Sequence, residues 1–331
     1  FIAGKALRRI FYLRSIQTFF NFFLFLHLTR RLKSIVNSLN DDAIFLIDQG
    51  TSRAHLEVIK FAKKYKIKSY ALPHGVITHK GLKDKTLNKE VFGRSVLRNF
   101  TKIIYPNKLA YNLSGLDSNE VEVLGSPRFS RKWIHNLKNI FQATKIIPRG
   151  KVNILLLAEK DGLEVEGKFI PSIFKEEIKQ TVDYLSELEE ANLIIKHHPS
   201  RTGPFGAPDL GPYRSKKAIN IVEDNKATTF QLINECDLII ATFSSAIIDA
   251  VILKKKILIL QYTSPYDLAF RDYIKNCTIN SLEELKYSVN QILNETFELD
   301  EDGYKDFLLN TVEWSNSSLE DYAKFLTKDL K

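Results

Sequence analysis

The chain has 331 residues, enough for two domains and an ample core at about 150 residues per domain; its 44% hydrophobic and 26% charged content is that of an ordinary globular protein. A total of 48 basic against 39 acidic residues gives a net charge of +9, which suits nucleotide phosphate, an anionic membrane surface or nucleic acid without choosing among them. The only two cysteines, Cys236 and Cys277, exclude a disulfide framework and a cysteine metal site, and point to a reducing cytosol with both thiols buried.

Residues 5–39 read as helix. The centre, Ile16 to Leu28, holds Phe19, Phe20, Phe22, Phe23 and Phe25, interrupted by Gln17, Asn21 and His27, with arginines on both flanks. It is too short and polar for a bilayer span. A core helix suits it best, with an interfacial helix on an anionic membrane as the alternative. No secretory signal is apparent. The start at Phe1 and the lack of Met read as a truncated start or as residues missing from the sequence.

Ala43 to Ile47 is predicted as a strand leading into Asp48-Gln49-Gly50, Ala54 to Tyr65 as an amphipathic helix, and Lys68 to Leu72 as the next strand, running into Pro73-His74-Gly75. A strand that stops at Pro-His-Gly puts His74 at a sheet's carboxyl edge, where open α/β sheets bind ligands. Residues 80–100 read as a basic loop, Ile103-Ile104 as a short strand and Lys108 to Ser114 as a helix. Val121 to Leu124 is a strand ending in Gly125-Ser126-Pro127-Arg128. Pro148-Arg149-Gly150-Lys151 has linker character, so the expected division is a domain at 1–148 and another at 149–331, whose last helix can pack back on the first.

A second α/β series follows. Strand Asn153 to Ala158 precedes a helix from Ser172 to Glu189, and strand Leu193 to Ile195 ends in Lys196-His197-His198-Pro199. Residues 201–217 form a Gly/Pro-rich loop, Ile219 to Val222 a strand and Thr229 to Asn234 a helix. Leu238 to Ala241 is a run of the kind buried in parallel sheets. It passes through Ser244-Ser245 into an apolar helix, Ala246 to Leu253, and a further strand, Ile257 to Leu260. Helices near 281–294, 303–312 and 318–330 finish the chain. Such alternation predicts two doubly wound, Rossmann-like α/β domains facing a cleft, the glycosyltransferase-B (GT-B) type.

Where the strand hands over to the helix at Ser244 and Ser245, free N–H groups and the positive helix end favour a phosphate. The plain alternative is that Ser244 is only an N-cap. Asp249, four residues after Ser245, shares its helix face. A lone His is more often structural, but His74 and His198 occupy equivalent strand ends. Displacing a nucleotide from an activated donor needs a base of near-neutral pKa and groups that stabilise the leaving phosphate. Lys196, His198 and the serine pair could supply the latter. In its more cationic setting, His198 suits phosphate contact better than proton removal.

His74-Gly75, Gly125-Ser126-Pro127-Arg128, Lys196-His197-His198-Pro199, Thr242-Phe243-Ser244-Ser245 with Asp249, and Tyr266-Asp267-Leu268 with Arg271 occur in a familiar order. Together, over residues 43–275, they resemble the CDP-glycerol glycerophosphotransferases and related bacterial capsule polysaccharide transferases. The resemblance implies a general-base role for His74 and donor-phosphate contacts from His198 and the serine pair. Lys196 and Asp249 join that donor set, while Asp48, Gly75, Arg128 and Arg271 are further cleft candidates. Leu-Pro-His-Gly stands where the glycerophosphotransferases usually have Trp-His-Gly, and His-Pro is more typical of capsule sugar transferases. A CDP- or CMP-linked donor is expected, with UDP as an alternative, and a glycan, teichoic-acid-like or lipid-linked acceptor. The expected location is the cytoplasm, peripheral to the inner face of the membrane. No cofactor or metal is expected, since Asp48, Asp161, Glu223 and Asp249 are scattered.

Two rivals stand beside this reading. Non-hydrolysing UDP-N-acetylglucosamine 2-epimerases share the two-domain plan, and Asp48-Gln49-Gly50 is similar to their early motif. They carry paired acids at the second-domain helix start, where this chain has Ser244-Ser245 and a single Asp249. A non-enzymatic basic module is the other, but the charge is dispersed and no nucleic-acid motif is present, so no nucleic-acid partner is expected.

Overall fold

Runs such as Ile154 to Leu157 and Leu238 to Ala241 are apolar at every position, so both faces of the strands they form must be covered. Parallel sheets flanked by helices do this. The structure, a computed structural model, describes residues 30–31, 33–34, 44–48, 53–73, 75–83, 99–141, 151–158, 162–165, 168–171, 175–197, 219–222, 227–242, 244–312 and 318–328. The aromatic stretch at 16–28 and the loop at 201–217 lie outside these residues, as do the other positions of the 5–39 helix apart from Arg30, Arg31, Lys33 and Ser34, which are helical and exposed. Among the described residues no helix is long and apolar enough to cross a membrane.

In the first half, strands β1 (Ile44–Asp48), β2 (Lys68–Leu72), β3 (His79–Leu82), β4 (Lys102–Tyr105) and β5 (Val121–Val123) follow in order. Helices α1 (Arg53–Lys64), α2 (Lys108–Ser114) and α3 (Arg131–Phe141) come after β1, β4 and β5. Strands β1-β2-β4-β5 make one parallel sheet in that order. Helix α2 begins at Asn107, whose side chain accepts the Ala110 N–H at 2.8 Å, and stops at Gly115 with φ 60°.

The second half contains β6 (Val152–Ala158), the hairpin β7 (Gly162–Val165) and β8 (Lys168–Pro171), α4 (Lys175–Ser186), β9 (Ala191–His197) and β10 (Ile219–Val222). Then come α5 (Thr229–Glu235), β11 (Leu238–Ala241), α6 (Ile247–Ile252), β12 (Lys256–Leu260), β13 (Tyr266–Leu268) and β14 (Thr278–Ile279). Helices α7 (Leu282–Leu293), α8 (Glu301–Phe307) and α9 (Ser318–Lys328) complete it, with a π-turn at Leu308–Val312 extending α8. The strands form a parallel sheet in the order β10-β9-β6-β11-β12-β14. Alternate residues go to opposite faces. Leu155, Leu157, Ile239 and Ile257 join one buried cluster with α6 and α8. Ile154, Leu156, Ile240 and Leu258 join another with α4 and α7.

The expected loop at 80–100 is corrected at its start. Residues 79–82 are a strand, paired antiparallel with β13 in the register Tyr266↔Leu82 and Leu268↔His79. The partner lies nearly 190 residues away, so no local pattern announces it. Backbone bonds from Lys83 N–H to Pro265 and from Ala269 N–H to Thr78 flank the pair, each at 2.9 Å. This ribbon ties the two halves together. Helix α9 contributes Tyr322, which packs on Tyr70 and Ile104 of the first sheet and donates its hydroxyl to the Gly125 carbonyl at 3.0 Å. Gly125 has φ 73°, a left-handed conformation that disfavours other residues.

Tyr322→Phe deletes a buried donor and leaves the Gly125 carbonyl bare, so stability should fall by about 1 kcal/mol. Urea unfolding measures this directly, and an unshifted midpoint would show that the contact carries no net stability.

Candidate functional site

The order of the second sheet locates a crevice. From β6 the chain moves outward through β9 to β10, then returns to the other side of β6 as β11 and moves out through β12. At such a reversal the connecting loops diverge, and ligands bind beyond the carboxyl ends of the two central strands. Here those ends are Ala158 of β6 and Thr242 after β11. In the strand registers Leu157 faces Ala241 on one side and Lys196 on the other, so Lys196, Leu157 and Ala241 form one row. Strands lie about 4.8 Å apart, which sets the Lys196 backbone roughly 10 Å from Ala241. Lys196 is itself buried, with 5% of its surface exposed.

Beyond that row the chain turns into α6. Ala246, not a serine, occupies the N-cap position and has helical backbone angles. The Ser244 hydroxyl accepts the Ala246 N–H at 3.3 Å, and the Ser244 and Ser245 carbonyls accept from Ile247 and Ile248. Both serines are half-buried. Asp249 is the one charged residue of the helix Ile-Ile-Asp-Ala-Val-Ile and is only 3% exposed. Its Oδ2 lies 3.3 Å from Nη2 of Arg128, which arrives from the turn after β5. Burial pushes the Asp249 carboxyl up to about 6, against the opposing charge and hydrogen bond of Arg128.

The structure therefore joins two of the sequence-predicted groups, Arg128 and the Ser244-Ser245-Asp249 segment. Arg271 sits elsewhere. Its guanidinium meets Asp267 at 2.9 Å, within a cluster in which Lys80 meets Asp272 at 2.8 Å. His74 and His198 lie outside the described residues, and Asp48 is placed as the last residue of β1. Gly75, next to His74, is exposed, and a methyl group there would meet nothing within 4 Å, so packing does not demand glycine.

Several supporting residues carry no sequence signal. The Asn107 amide donates to the Ile77 carbonyl at 2.7 Å, holding the segment after His74 against the end of β4. Buried Gln261 donates to the Tyr266 carbonyl and accepts the Leu268 N–H, bracing β13. His79 stacks on Tyr266 at 4.1 Å, its Nδ1 accepts the Gly81 N–H, and burial pulls its pKa down to about 4. That ring is neutral and structural. Among the described residues no group of three His, Cys, Asp or Glu is placed to hold a metal ion. Both thiols are buried and pushed up to about 12.

No protein-family model matches the chain, and no curated protein matches its sequence. Solved structures do match. A UDP-GlcNAc 2-epimerase from Neisseria meningitidis bound to UDP-GlcNAc gives a TM-score of 0.58 at 14% identity, over 92% of this chain and 81% of that one. The enzyme of the same name from Methanocaldococcus jannaschii, in complex with UDP-GlcNAc and UDP, gives 0.56 at 16% identity, over 91% and 79%. The wall teichoic acid polymerase TagF matches at 0.47 and 13% identity, over 81% and 70%. The two epimerase likenesses establish the fold: α/β with doubly wound parallel sheets, of GT-B type.

The Asp249 shift has a defined sign. Between the ordinary 3.8 and about 6, the folded chain holds a proton that the unfolded chain has released. Stability therefore falls as pH rises through that window and stays lower above it. Asp249→Asn should gain up to about 3 kcal/mol above pH 6 and nothing below pH 4. Unfolding midpoints across that range test this, and a gain of equal size at every pH would remove the carboxyl from the account.

Proposed function

We propose that the chain is a transferase that moves a glycosyl or polyol-phosphate group from a nucleotide-activated donor, CDP- or CMP-linked before UDP-linked, to a bacterial surface polysaccharide or teichoic-acid-like acceptor. The observation that carries this reading is the Ser244-Ser245 turn, set directly after the switch-point strand and in the neighbourhood of the Lys196 row. Small hydroxyls with a nearby cation are suited to a donor's phosphates. The C-terminal half, 149–331, takes the donor in this reading, and the N-terminal half, 1–148, presents the acceptor. Work on a lipid-linked acceptor would place the protein at the inner face of the membrane.

His74 is assigned as general base towards the acceptor hydroxyl. Support comes from its neighbours: the segment after it is held to β4 through Asn107 and to the second half through Thr78. His198, beyond the end of β9, is assigned to the donor's phosphates.

The epimerase reading is favoured by one observation, the fold likeness to proteins that bind UDP-GlcNAc and UDP. Against it, this chain has one acid at the helix start, and that acid is tied to Arg128. Incubation with CDP-, CMP- and UDP-linked donors separates the two. A transferase releases nucleotide in proportion to acceptor, whereas an epimerase interconverts UDP-sugars without any. His74→Ala should slow transfer by about 10²–10⁴-fold with little change in donor affinity. Ser244→Ala with Ser245→Ala should weaken nucleotide binding and leave the fold intact, and unchanged affinity would overturn the donor assignment.

A further inference from the structure

We infer that Arg128 is a donor-phosphate ligand delivered from the first half of the chain, and that Asp249 acts through it as a positioning residue. This rests on the donor reading above and gives that site a component from the opposite half. A carboxylate cannot itself hold a phosphate, because two anions at contact distance repel. Asp249 is nonetheless fixed on α6, one turn beyond Ser245, with its carboxyl directed to Arg128.

The arginine's condition is the informative part. A guanidinium has five N–H donors. Arg128 uses one contact, a single 3.3 Å bond, and 53% of its side chain is exposed. No other hydrogen-bond partner holds it among the described residues. An arginine serving only to join two halves is best satisfied by a bidentate, covered pair. This one is held at one nitrogen and bare at the rest.

Its placement is fixed all the same. The turn begins at Gly125, whose carbonyl is gripped by Tyr322, and passes through Pro127 into a 3₁₀ turn. Phe129 is 2% exposed and packs in the same cluster as Ile247 and Ile248 of α6. The guanidinium lies over the Phe129 ring at 5.1 Å. A planar fork held this way, beside the helix that opens on two serines, matches a phosphate's oxygens. The donor site is then complete only when the first half is docked on α6.

The test is calorimetric titration of the full chain with inorganic pyrophosphate, CDP and UDP. The variants are Arg128→Gln, Arg128→Lys, Asp249→Asn and the Arg128→Gln/Asp249→Asn pair, each checked by thermal unfolding. Arg128→Gln should weaken pyrophosphate and CDP by about ten- to a hundredfold, the worth of a charged hydrogen bond. Arg128→Lys keeps the charge without the fork and should recover only part of this. Asp249→Asn should weaken binding when Arg128 is present and change nothing in the Arg128→Gln background. If Asp249→Asn tightens binding equally in both backgrounds, it acts as a bare charge and the positioning role falls. If nucleotides bind all variants alike, the pair has no part in binding and the inference is overturned with the donor reading intact. Arg128-dependent pyrophosphate binding without nucleotide binding would overturn the donor reading and leave Arg128 as a phosphate ligand only. Absence of all binding to the native chain would remove both.

Discussion

Everything in the site depends on the register between β6 and β11. These two strands are neighbours in the sheet although α4, β9, β10 and α5 intervene in the chain, and their junction creates the crevice. The register is fixed at the far end by a polar clasp. Asn153 N–H donates to the Asp237 carboxylate at 2.8 Å, Asp237 N–H returns to the Asn153 carbonyl at 2.9 Å, and Asn192 donates to the Asn153 side chain at 3.0 Å. A slip of one residue would turn Ile239 and Ala241 to the opposite face and break this clasp. With the amino ends locked, the carboxyl ends finish flush, and the row Lys196–Leu157–Ala241 follows.

The second constraint is the β3–β13 ribbon. Its charged fringe of Lys80, Asp267, Arg271 and Asp272 is conspicuous, but each member is about a third to a half exposed. Exposed pairs of this kind contribute about 0–1 kcal/mol each. Burial decides instead. Leu268 and Phe270 are fully covered and Tyr266 nearly so, and each such side chain contributes roughly 1.5–3 kcal/mol. The link between the halves is therefore an apolar strand pairing with a charged edge, and the segment after His74 is drawn into it through Thr78.

Five of the six strands of the second sheet were legible in the sequence because they are largely apolar runs; β11 coincides with the predicted strand to the residue. The helix α3 was also open to reading. Ile134, Leu137 and Phe141 recur at helical spacing in Arg-Lys-Trp-Ile-His-Asn-Leu-Lys-Asn-Ile-Phe, yet the polar residues between them mask the period. Strands β3, β13 and β14 were not legible, being two to four residues long and defined by distant partners. The same holds for the site. Asp249 stands out as a lone charge in an apolar helix, and Arg128 follows a Gly-Ser-Pro turn, but the sequence separates them by 121 residues. Motifs can be read singly; their meeting is a property of the fold.

That meeting is unfavourable on stability grounds alone. A carboxyl with 3% exposure and a pKa near 6 is partly deprived of solvation that a single, half-exposed arginine does not restore. An apolar residue among Ile247, Ile248 and Val251 would fill the same volume without that penalty, as buried ion pairs often show. Packing therefore does not account for the aspartate. Phe129 and Val76 already supply an apolar seal between the halves in the same cluster. What the aspartate adds is direction: it pins one nitrogen of Arg128 and leaves the rest of the fork unengaged. An arginine without it would retain its charge and its stacking on Phe129 but lose its orientation. The polar contact at this seam thus fixes where a cation points.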